Sequence, residues 1–472
     1  MAGKLKKTIF PVDALFMAVG AIIGFAVFML PGESFLIKGG PLGTWIGLAI
    51  GAVATMIVAY SYGYLIKRYP ICGGSFTFTL IAFPDKYKKP HAFVSAWFLA
   101  IAYISLLCVN AVGAGLVMRY IFPGVFSGPM IYQIAGWNVY LGELIIAIIV
   151  AVIFAVVNLR GMNTTKWAQN AIVLVLLGSF LIVLSMTLIK GVDYSNFAPA
   201  FPDGVPPISA ILAIACMCPF LFMGYDVIPQ AAEEYKFSSK QAYMLMCGSI
   251  IISAFVYGGN TFISASFMPW QEMILHQNSW NVGWAVEEIT GRLGLYILGT
   301  GMMCGIFSGI NSFYTTASRV FLAMARADAL PEWFGKIDDK SSIPGNAVKF
   351  ILVIALFSPF LGRSVILWIV DMLSVGMAIT YGYSALSAAI IAKKHNDTIP
   401  MVVAIAGFVI SVFFIVMQLI PGSPAFLPVP SLIILGLWSF IGIGFYIYQR
   451  KKYLASEAIY DILKECEDCK VD

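Results

Sequence analysis

Hydrophobic residues occur along this chain in long runs that short polar segments separate. A helix that crosses about 30 Å of hydrocarbon needs about 20 mainly apolar residues, and runs of this order recur throughout the sequence. They predict an all-α polytopic membrane protein with twelve transmembrane helices. These spans, numbered one to twelve in chain order, cover residues 12 to 37, 41 to 66, 92 to 121, 139 to 158, 166 to 189, 208 to 234, 241 to 268, 294 to 325, 347 to 362, 365 to 392, 399 to 420 and 430 to 449.

Two spans carry residues that interrupt a helix near the middle of the membrane. In span one Gly20 and Gly24 flank three apolar residues, and in span six Gly224 is followed by an acidic residue and by Pro229. At 1.5 Å per residue, both breaks lie roughly 15 Å from the end of their span. A GxxxG pair usually marks close packing, and a Gly with a Pro also produces a simple kink. Independent kinks, however, have no reason to recur at the same depth at the start of each set of five helices.

The matched breaks predict a secondary transporter built from a five-plus-five inverted repeat, with its substrate site between the discontinuous helices. The first repeat covers residues 12 to 189, and the second covers residues 208 to 392. Residues 399 to 449 form two extra helices. The flanking segments are an N-terminus at residues 1 to 11 and a tail at residues 450 to 472.

The distribution of positive charge predicts the orientation in the membrane. Only 11% of the residues are charged, and the mean hydropathy is +0.88. With a cytoplasmic N-terminus, most of the 29 lysines and arginines fall in cytoplasmic segments, as the positive-inside rule requires. The exceptions are Lys38, Arg119, Lys190, Arg292 and Arg363. We therefore expect a multi-pass protein of the cell membrane with both termini in the cytoplasm, and no nucleic-acid partner.

Four segments resemble the sequence signatures of one family. GAIIGFAVFMLPG in span one and FMGYDVIPQAAEE in span six resemble the first-helix and sixth-helix signatures of amino acid permeases of the amino acid, polyamine and organocation (APC) superfamily. YPICGGSFTF and RVFLAMARADALPEWF resemble the loops after the family's second and eighth helices. Ala327 stands where the family usually has Asp, with Asp328 one residue later, and Phe76 and Phe78 replace tyrosines. The matches, over residues 13 to 344, imply a leucine-transporter-like fold and amino acid transport.

A broken helix can bind a zwitterion, because one half-helix presents free N–H groups at the break and the other presents free C=O groups. We predict that the substrate carboxylate binds the backbone amides of Ala21, Ile22, Ile23 and Gly24. We predict that the substrate ammonium binds the backbone carbonyls of Phe220, Leu221 and Met223. The resemblance implies the same roles for these positions.

Candidate gates lie on both sides of this site. The rings of Phe220 and Phe222 either pack in the core or close over the substrate. Glu233 and Glu234 end a helix at its negative pole, where acids are disfavoured, so we expect a cationic partner. Arg319 and Arg326 are the candidates for such an inner gate. The alternative is that both glutamates are solvated at the membrane surface.

Placing an acidic group within a membrane span costs free energy, and such groups tend to be functional. Asp226 adjoins the break in span six, where its carboxylate caps the helix, forms a hydrogen bond across the site or carries a proton.

The coupling ion is predicted from span five. Many members of the resembling family carry a lysine inside this helix, and span five of this chain has none. One hypothesis is that Na⁺ occupies the place of the missing lysine, and the alternative is H⁺ coupling or ion-independent exchange. The oxygen ligands for Na⁺ would come from Gly20, Ile23, Ser308, Asn311 and Ser312. The alternative for these small residues is close helix packing.

The sequence therefore predicts a secondary active transporter, a symporter or an antiporter, for a small or medium neutral amino acid. An amino acid sensor and an amine or polyamine exchanger on the same fold are the alternatives. No nucleophile with a base and no metal-binding motif points to an enzyme or a cofactor. The expected partners are the amino acid and the lipid bilayer. Protein partners, the direction of transport and any metal role of Cys466 and Cys469 stay open.

Overall fold

The computed structural model describes residues 6 to 122, 124 to 126, 128 to 275, 280 to 338, 340 to 423 and 425 to 457. Cys466 and Cys469 lie outside these residues.

The described chain is almost entirely helical. The first half consists of α1 (Pro11–Ile22), α2 (Phe25–Leu30), α3 (Leu36–Arg68), α4 (Ser75–Ala82), α5 (Lys88–Ile121), α6 (Leu141–Leu159) and α7 (Met162–Lys190). The second half consists of α8 (Pro207–Ala215), α9 (Cys218–Leu221), α10 (Val227–Gln230), α11 (Ser239–Ser266), α12 (Trp270–Leu275), α13 (Asn281–Arg326), α14 (Gly345–Phe357), α15 (Gly362–Lys394), α16 (Thr398–Leu419) and α17 (Val429–Ala455). A π-helical turn, Pro31–Phe35, joins α2 to α3.

Nine helices in the described residues are long and apolar enough to cross a membrane. Three shorter apolar helices, Pro11–Ile22, Pro207–Leu221 and Gly345–Leu361, fall on predicted spans one, six and nine. The prediction of an all-α polytopic membrane protein is confirmed. The count of twelve crossings, the inverted repeat and the segment boundaries stay predictions.

Several elements lie in segments that the apolar pattern left as loops. They are α4, α12 and a hairpin of β1 (Met130–Ile134) and β2 (Trp137–Tyr140), which pair antiparallel. Two long helices also contain a corner, at Gly40 in α3 and at Gly291 in α13, where φ is +63° and +77°. Residues 281 to 290 therefore form a separate helical segment in front of predicted span eight.

The two broken helices touch each other through their backbones. Span one is interrupted between Ile22 and Phe25, and span six is interrupted between Leu221 and Val227. At Gly224, where φ is +128°, an added Cβ would lie 2.7 Å from the backbone nitrogen of Ile22 and 2.8 Å from a backbone carbon of the preceding alanine. Only a glycine allows this approach.

Intact helices surround the breaks. Helix α1 packs against α7, α11 and α13, and α10 contacts both α1 and α13. Helix α15 packs against α4, α5 and α16. The breaks are therefore held inside the helical bundle rather than at its lipid surface.

The ends of both broken helices are joined at one face of the molecule. The amides of Thr8 and Ile9 donate to the carbonyl of Glu234 at 2.8 and 3.0 Å, and the amide of Lys236 donates to the carbonyl of Ile9 at 2.8 Å. We call this face, which also holds Asp328, the N-terminal face. The other end of the bundle is the opposite face.

The C-terminal end of α17, with Ser456 after it, is fixed to the N-terminal face. The hydroxyl of buried Tyr453 donates to the carbonyl of Lys89 at 2.9 Å, and the Lys89 ammonium donates to the carbonyl of Ser456 at 2.7 Å. Lys452 forms an ion pair with Asp328 at 2.9 Å. Partial burial opposes ionisation of Asp328, but hydrogen bonds from Ser456 and Lys452 hold the pKa of this carboxyl below its usual value. These contacts thus hold the C-terminal end of α17 against the loop after α13.

Gly224→Ala tests the contact between the breaks. A side chain at positive φ costs on the order of 1–3 kcal/mol, and the overlap with the α1 backbone adds to this cost. We expect a lower unfolding temperature of the purified protein in detergent. Gly178→Ala is the matched control, because an added Cβ at this helical glycine meets nothing within 4 Å. Equal unfolding temperatures for the two variants would contradict the contact.

Candidate functional site

The break in span one is filled by the side chain of Asn110 from α5. Gly24 precedes the first turn of α2, and the amide of Phe25 donates to Asn110 Oδ1 at 3.0 Å. An added Cβ at Gly24 would lie 2.7 Å from this oxygen, and one at Gly309 of α13 would lie 2.9 Å from Asn110 Nδ2. The asparagine is therefore wedged between the break and α13, and it caps a helix N-terminus inside the membrane.

The four predicted carboxylate-binding residues lie together at this break, and part of their hydrogen-bonding capacity is already used. Ala21 and Ile22 form the last turn of α1. The Ile23 amide donates to the Val19 carbonyl at 2.8 Å, and the Gly24 amide donates to the Ile22 carbonyl at 3.0 Å. The next amide along the chain is the one that Asn110 caps. Binding of a carboxylate to these amides stays a prediction.

The predicted ammonium-binding residues lie around the break in span six. Phe220 and Leu221 end α9, and the Phe220 carbonyl accepts from the Met223 amide at 3.2 Å. The two candidate gating rings differ in their surroundings. Phe222 is fully buried and contacts the Tyr257 ring edge-on, with centroids 6.4 Å apart. Phe220 lines a cavity, and its action as a gate stays a prediction.

This cavity has a volume of about 370 Å³ and lies between the breaks and the opposite face. Its wall near the breaks is mainly apolar and includes Phe25, Val112, Met217 and Phe220. Its rim is polar and includes Glu33, Lys38, Asp371, Ser374 and Gln418. A pocket of this size is within the range of small-molecule sites.

Two ion pairs close the bundle towards the N-terminal face. Arg319 Nε lies 2.9 Å from Glu234 Oε1, and both side chains are 2% exposed. Arg326 Nη1 lies 3.0 Å from Glu233 Oε1, and the Cys72 amide donates to the same oxygen at 3.0 Å. The structure brings the four predicted inner-gate residues together, with both glutamates paired rather than freely solvated. Their action as a gate stays a prediction.

The predicted cation ligands on α13 face α1 and α7. Ser312 Oγ donates to the Met17 carbonyl at 3.1 Å, and Ser308 Oγ lies 1.7 Å from an added Cβ at Gly20. An added Cβ at Gly305 would lie 2.7 Å from the Ile23 carbonyl oxygen. Close packing of small residues, the alternative interpretation, is thus present at this contact. Sodium binding stays a prediction.

Gln169 of α7 lies among these residues and was not predicted from the sequence. Its Nε2 donates to Ser308 Oγ at 2.6 Å and to the Phe16 carbonyl at 3.1 Å. Its Oε1 accepts from Asn311 Nδ2 at 2.9 Å. The side chain is fully buried. A neutral amide therefore joins α1, α7 and α13 beside the predicted cation site.

Tyr103 of α5 was missed as well. Its hydroxyl donates to Asp226, whose carboxylate also accepts from the Gly224 amide at 2.9 Å. Tyr103 and Gln169 are polar groups in mainly apolar spans, and this position was the available signal. The sequence did not reveal which face of each helix they occupy. In the part of the chain that the structure describes, no cluster of His, Cys, Asp and Glu is arranged to hold a metal ion.

Comparisons with known proteins agree with this architecture. Residues 9 to 445 match the family model described as amino acid permease. The chain is 22% identical over 463 residues to the branched-chain amino acid permease BcaP of Lactococcus lactis subsp. cremoris, covering 93% of this chain and 94% of that protein. It is 22% identical to cationic amino acid transporter 1 of Arabidopsis thaliana, with coverage of 84% and 64%. It is 21% identical to the methylthioribose transporter of Bacillus subtilis, with coverage of 83% and 83%. Because the family model covers nearly the whole chain, this protein belongs to the amino acid permease family.

Proposed function

We propose that this protein is a secondary active transporter that moves a small or medium neutral amino acid across the cell membrane by alternating access. The observation that carries the proposal is the direct contact between two broken helices. An added Cβ at Gly224 would overlap the backbone of α1 at 2.7 Å, so the polar backbone groups of both breaks lie side by side. In membrane transporters, paired helix breaks of this kind bind ligands that carry a positive and a negative group.

The zwitterion is recognised at the two breaks in this proposal. The substrate carboxylate binds at Ala21, Ile22, Ile23 and Gly24, where the N-terminal end of α2 carries a positive dipole. The substrate ammonium binds the carbonyls of Phe220, Leu221 and Met223. The binding energy comes from charge-assisted hydrogen bonds in a site that excludes lipid and water.

The side chain of the substrate occupies the inner end of the cavity. Its wall of Phe25, Val112, Met217 and Phe220 supports an apolar or small side chain. A cationic amino acid or a polyamine is the second candidate, and the carboxylate of Asp371 in the same cavity favours it.

Alternating access follows from the two ends of the site. The cavity leads towards the opposite face, whereas the pairs Arg319–Glu234 and Arg326–Glu233 close the N-terminal face. Release on the N-terminal side requires both pairs to separate. We propose that this face is cytoplasmic, in keeping with the positive-inside distribution of lysines and arginines. No catalytic step forms part of the proposal.

Counterflow into proteoliposomes tests transport and substrate class together. Vesicles are loaded with unlabelled alanine, leucine, phenylalanine or arginine. They are then diluted into a solution of the same amino acid in radiolabelled form. We expect transient accumulation of at least one neutral amino acid. Accumulation of arginine alone would favour the cationic candidate. No counterflow of any amino acid, with folded protein in the vesicles, would contradict the proposed function.

Gly24→Val tests the carboxylate site. Gly24 has φ of −103°, which a valine tolerates, but the added side chain would meet Asn110 Oδ1 at 2.7 Å and fill the break. We expect folded protein without counterflow. Gly436→Val on α17 is the matched control, since an added Cβ there meets nothing within 4 Å. Unchanged substrate affinity in Gly24→Val would reject the assignment.

The closed face can be tested at Cys72, which is 1% exposed and lies 3.4 Å from Arg326 Nη1. In a variant that keeps only this cysteine of the eight in the chain, Glu233→Gln removes one charge of the outer ion pair. We expect a membrane-impermeant maleimide to label Cys72 several times faster in the detergent-solubilised variant. Glu272→Gln on α12, towards the opposite face, serves as the control. Equal labelling rates would show that the ion pair does not keep this face closed.

A further inference from the structure

The side chain of Gln169 lies at the junction of α1 and α13 where the sequence predicts a cation site. Its Nε2 donates to Ser308 Oγ at 2.6 Å and to the Phe16 carbonyl at 3.1 Å. An added Cβ at Gly20 would lie 2.3 Å from this nitrogen, so the amide group packs directly against the first half of span one. The side chain therefore fills the space between the first broken helix and α13.

The backbone fixes which end of this amide donates. Three side-chain amides at the junction turn their NH₂ groups towards backbone carbonyls. The pairs are Gln169 with Phe16 at 3.1 Å, Asn311 with Thr165 at 3.1 Å, and Asn158 with Phe154 at 2.9 Å. A backbone carbonyl only accepts hydrogen bonds, so an amide turned by half a rotation would bring two acceptors together. The direction of each hydrogen bond in this network is therefore set.

With the donors fixed, two of the side-chain oxygens predicted to bind Na⁺ accept N–H bonds. Gln169 Nε2 donates to Ser308 Oγ, and Asn158 Nδ2 donates to Asn311 Oδ1 at 2.9 Å. A hard cation needs several oxygen lone pairs directed at one point. At this junction an N–H group is directed at the same oxygens instead. The donor set of the described residues therefore does not fit Na⁺.

The same network holds the first half of span one. Gln169 Nε2 donates to the Phe16 carbonyl, and Ser312 Oγ donates to the next carbonyl, that of Met17, at 3.1 Å. Gln169 Oε1 accepts from Asn311 Nδ2 at 2.9 Å, so both polar atoms of the Gln169 side chain are hydrogen-bonded. A buried polar network whose members are all satisfied rigidifies the elements that it joins. The helix that leads into the first break is thus fixed to α7 and α13.

We infer that Gln169 is a positioning residue that takes the place of a coupling cation. Its N–H groups supply the positive partner for the oxygens of α1 and α13, and Na⁺ takes no part in substrate binding or transport. The inference rests on the proposed function, because the first break is the proposed carboxylate site. Gln169 acts on that site through the backbone of α1.

The wild-type protein provides the first test. Counterflow and the unfolding temperature are measured in sodium chloride and in choline chloride at the same ionic strength and pH. We expect equal counterflow rates and equal unfolding temperatures in the two salts. Dependence of either quantity on Na⁺ would overturn the inference. Absence of counterflow in both salts would instead reject the proposed function.

Gln169→Glu provides the second test, because it keeps the size of the side chain and replaces the donor with an oxygen. The new carboxylate faces the Phe16 carbonyl and Ser308 Oγ, so a cation is needed between them. The assay is run at about pH 9, to keep a buried glutamate ionised. We expect counterflow in choline to slow by about tenfold, the effect of one unsatisfied buried group, and to recover in Na⁺. A rate equal to that of the wild type in choline, or a slow rate that Na⁺ does not raise, would overturn the inference.

Gln169→Met decides if Gln169→Glu does not fold. Methionine has a similar length and no N–H group, so the backbone of α1 loses one of its holding bonds. We expect the half-saturating substrate concentration of counterflow to rise roughly tenfold, as for the loss of one buried hydrogen bond. Thr187→Val is the matched control, since buried Thr187 lies on the same helix and its hydroxyl donates to the Val183 carbonyl at 3.0 Å. An unchanged half-saturating concentration in Gln169→Met, or an equal rise in the control, would contradict the positioning role.

Discussion

Backbone groups that leave a helix inside the membrane have no water to bond with, and this constraint shapes the centre of the protein. Each break meets it with a side chain. Asn110 accepts from the first amide of α2, and Asp226 accepts from the Gly224 amide. The breaks also meet each other, because glycine lets the backbone at Gly224 approach that of α1. Part of the polar centre is thus satisfied by its own chain.

Helix α13 connects the parts of this centre. It packs against α1, α5, α6 and α7, and it carries Ser308 beside the first break. About three and five turns further along, the same helix carries Arg319 and Arg326, which pair with the end of span six. A single helix therefore touches both broken helices, and a movement of the end of span six relative to α13 must also strain the ion pairs.

The sequence predicted those features that a general constraint imposes. Lipid thickness sets the length of the spans, so the apolar runs predicted an all-α polytopic protein. Helix-terminal acids need cations, so Glu233 and Glu234 predicted their arginine partners. By contrast, the partners of Asn110 and Gln169 depend on which helices pack together, and one sequence does not contain this information. The hairpin of β1 and β2 escaped prediction because its residues do not read as an apolar span.

The Asn110 contact has a consequence for the resting protein. With the Phe25 amide capped by Asn110 Oδ1, the first donor of α2 is satisfied by the chain itself. A carrier whose backbone donors are hydrogen-bonded without substrate loses little free energy when it changes orientation without substrate. A carrier with an unbonded buried donor changes orientation mainly with substrate bound. The same asparagine removes the Phe25 amide from the donors that a substrate carboxylate could use. The Asn110 contact therefore lowers the affinity for substrate and favours release of the substrate, as transport requires.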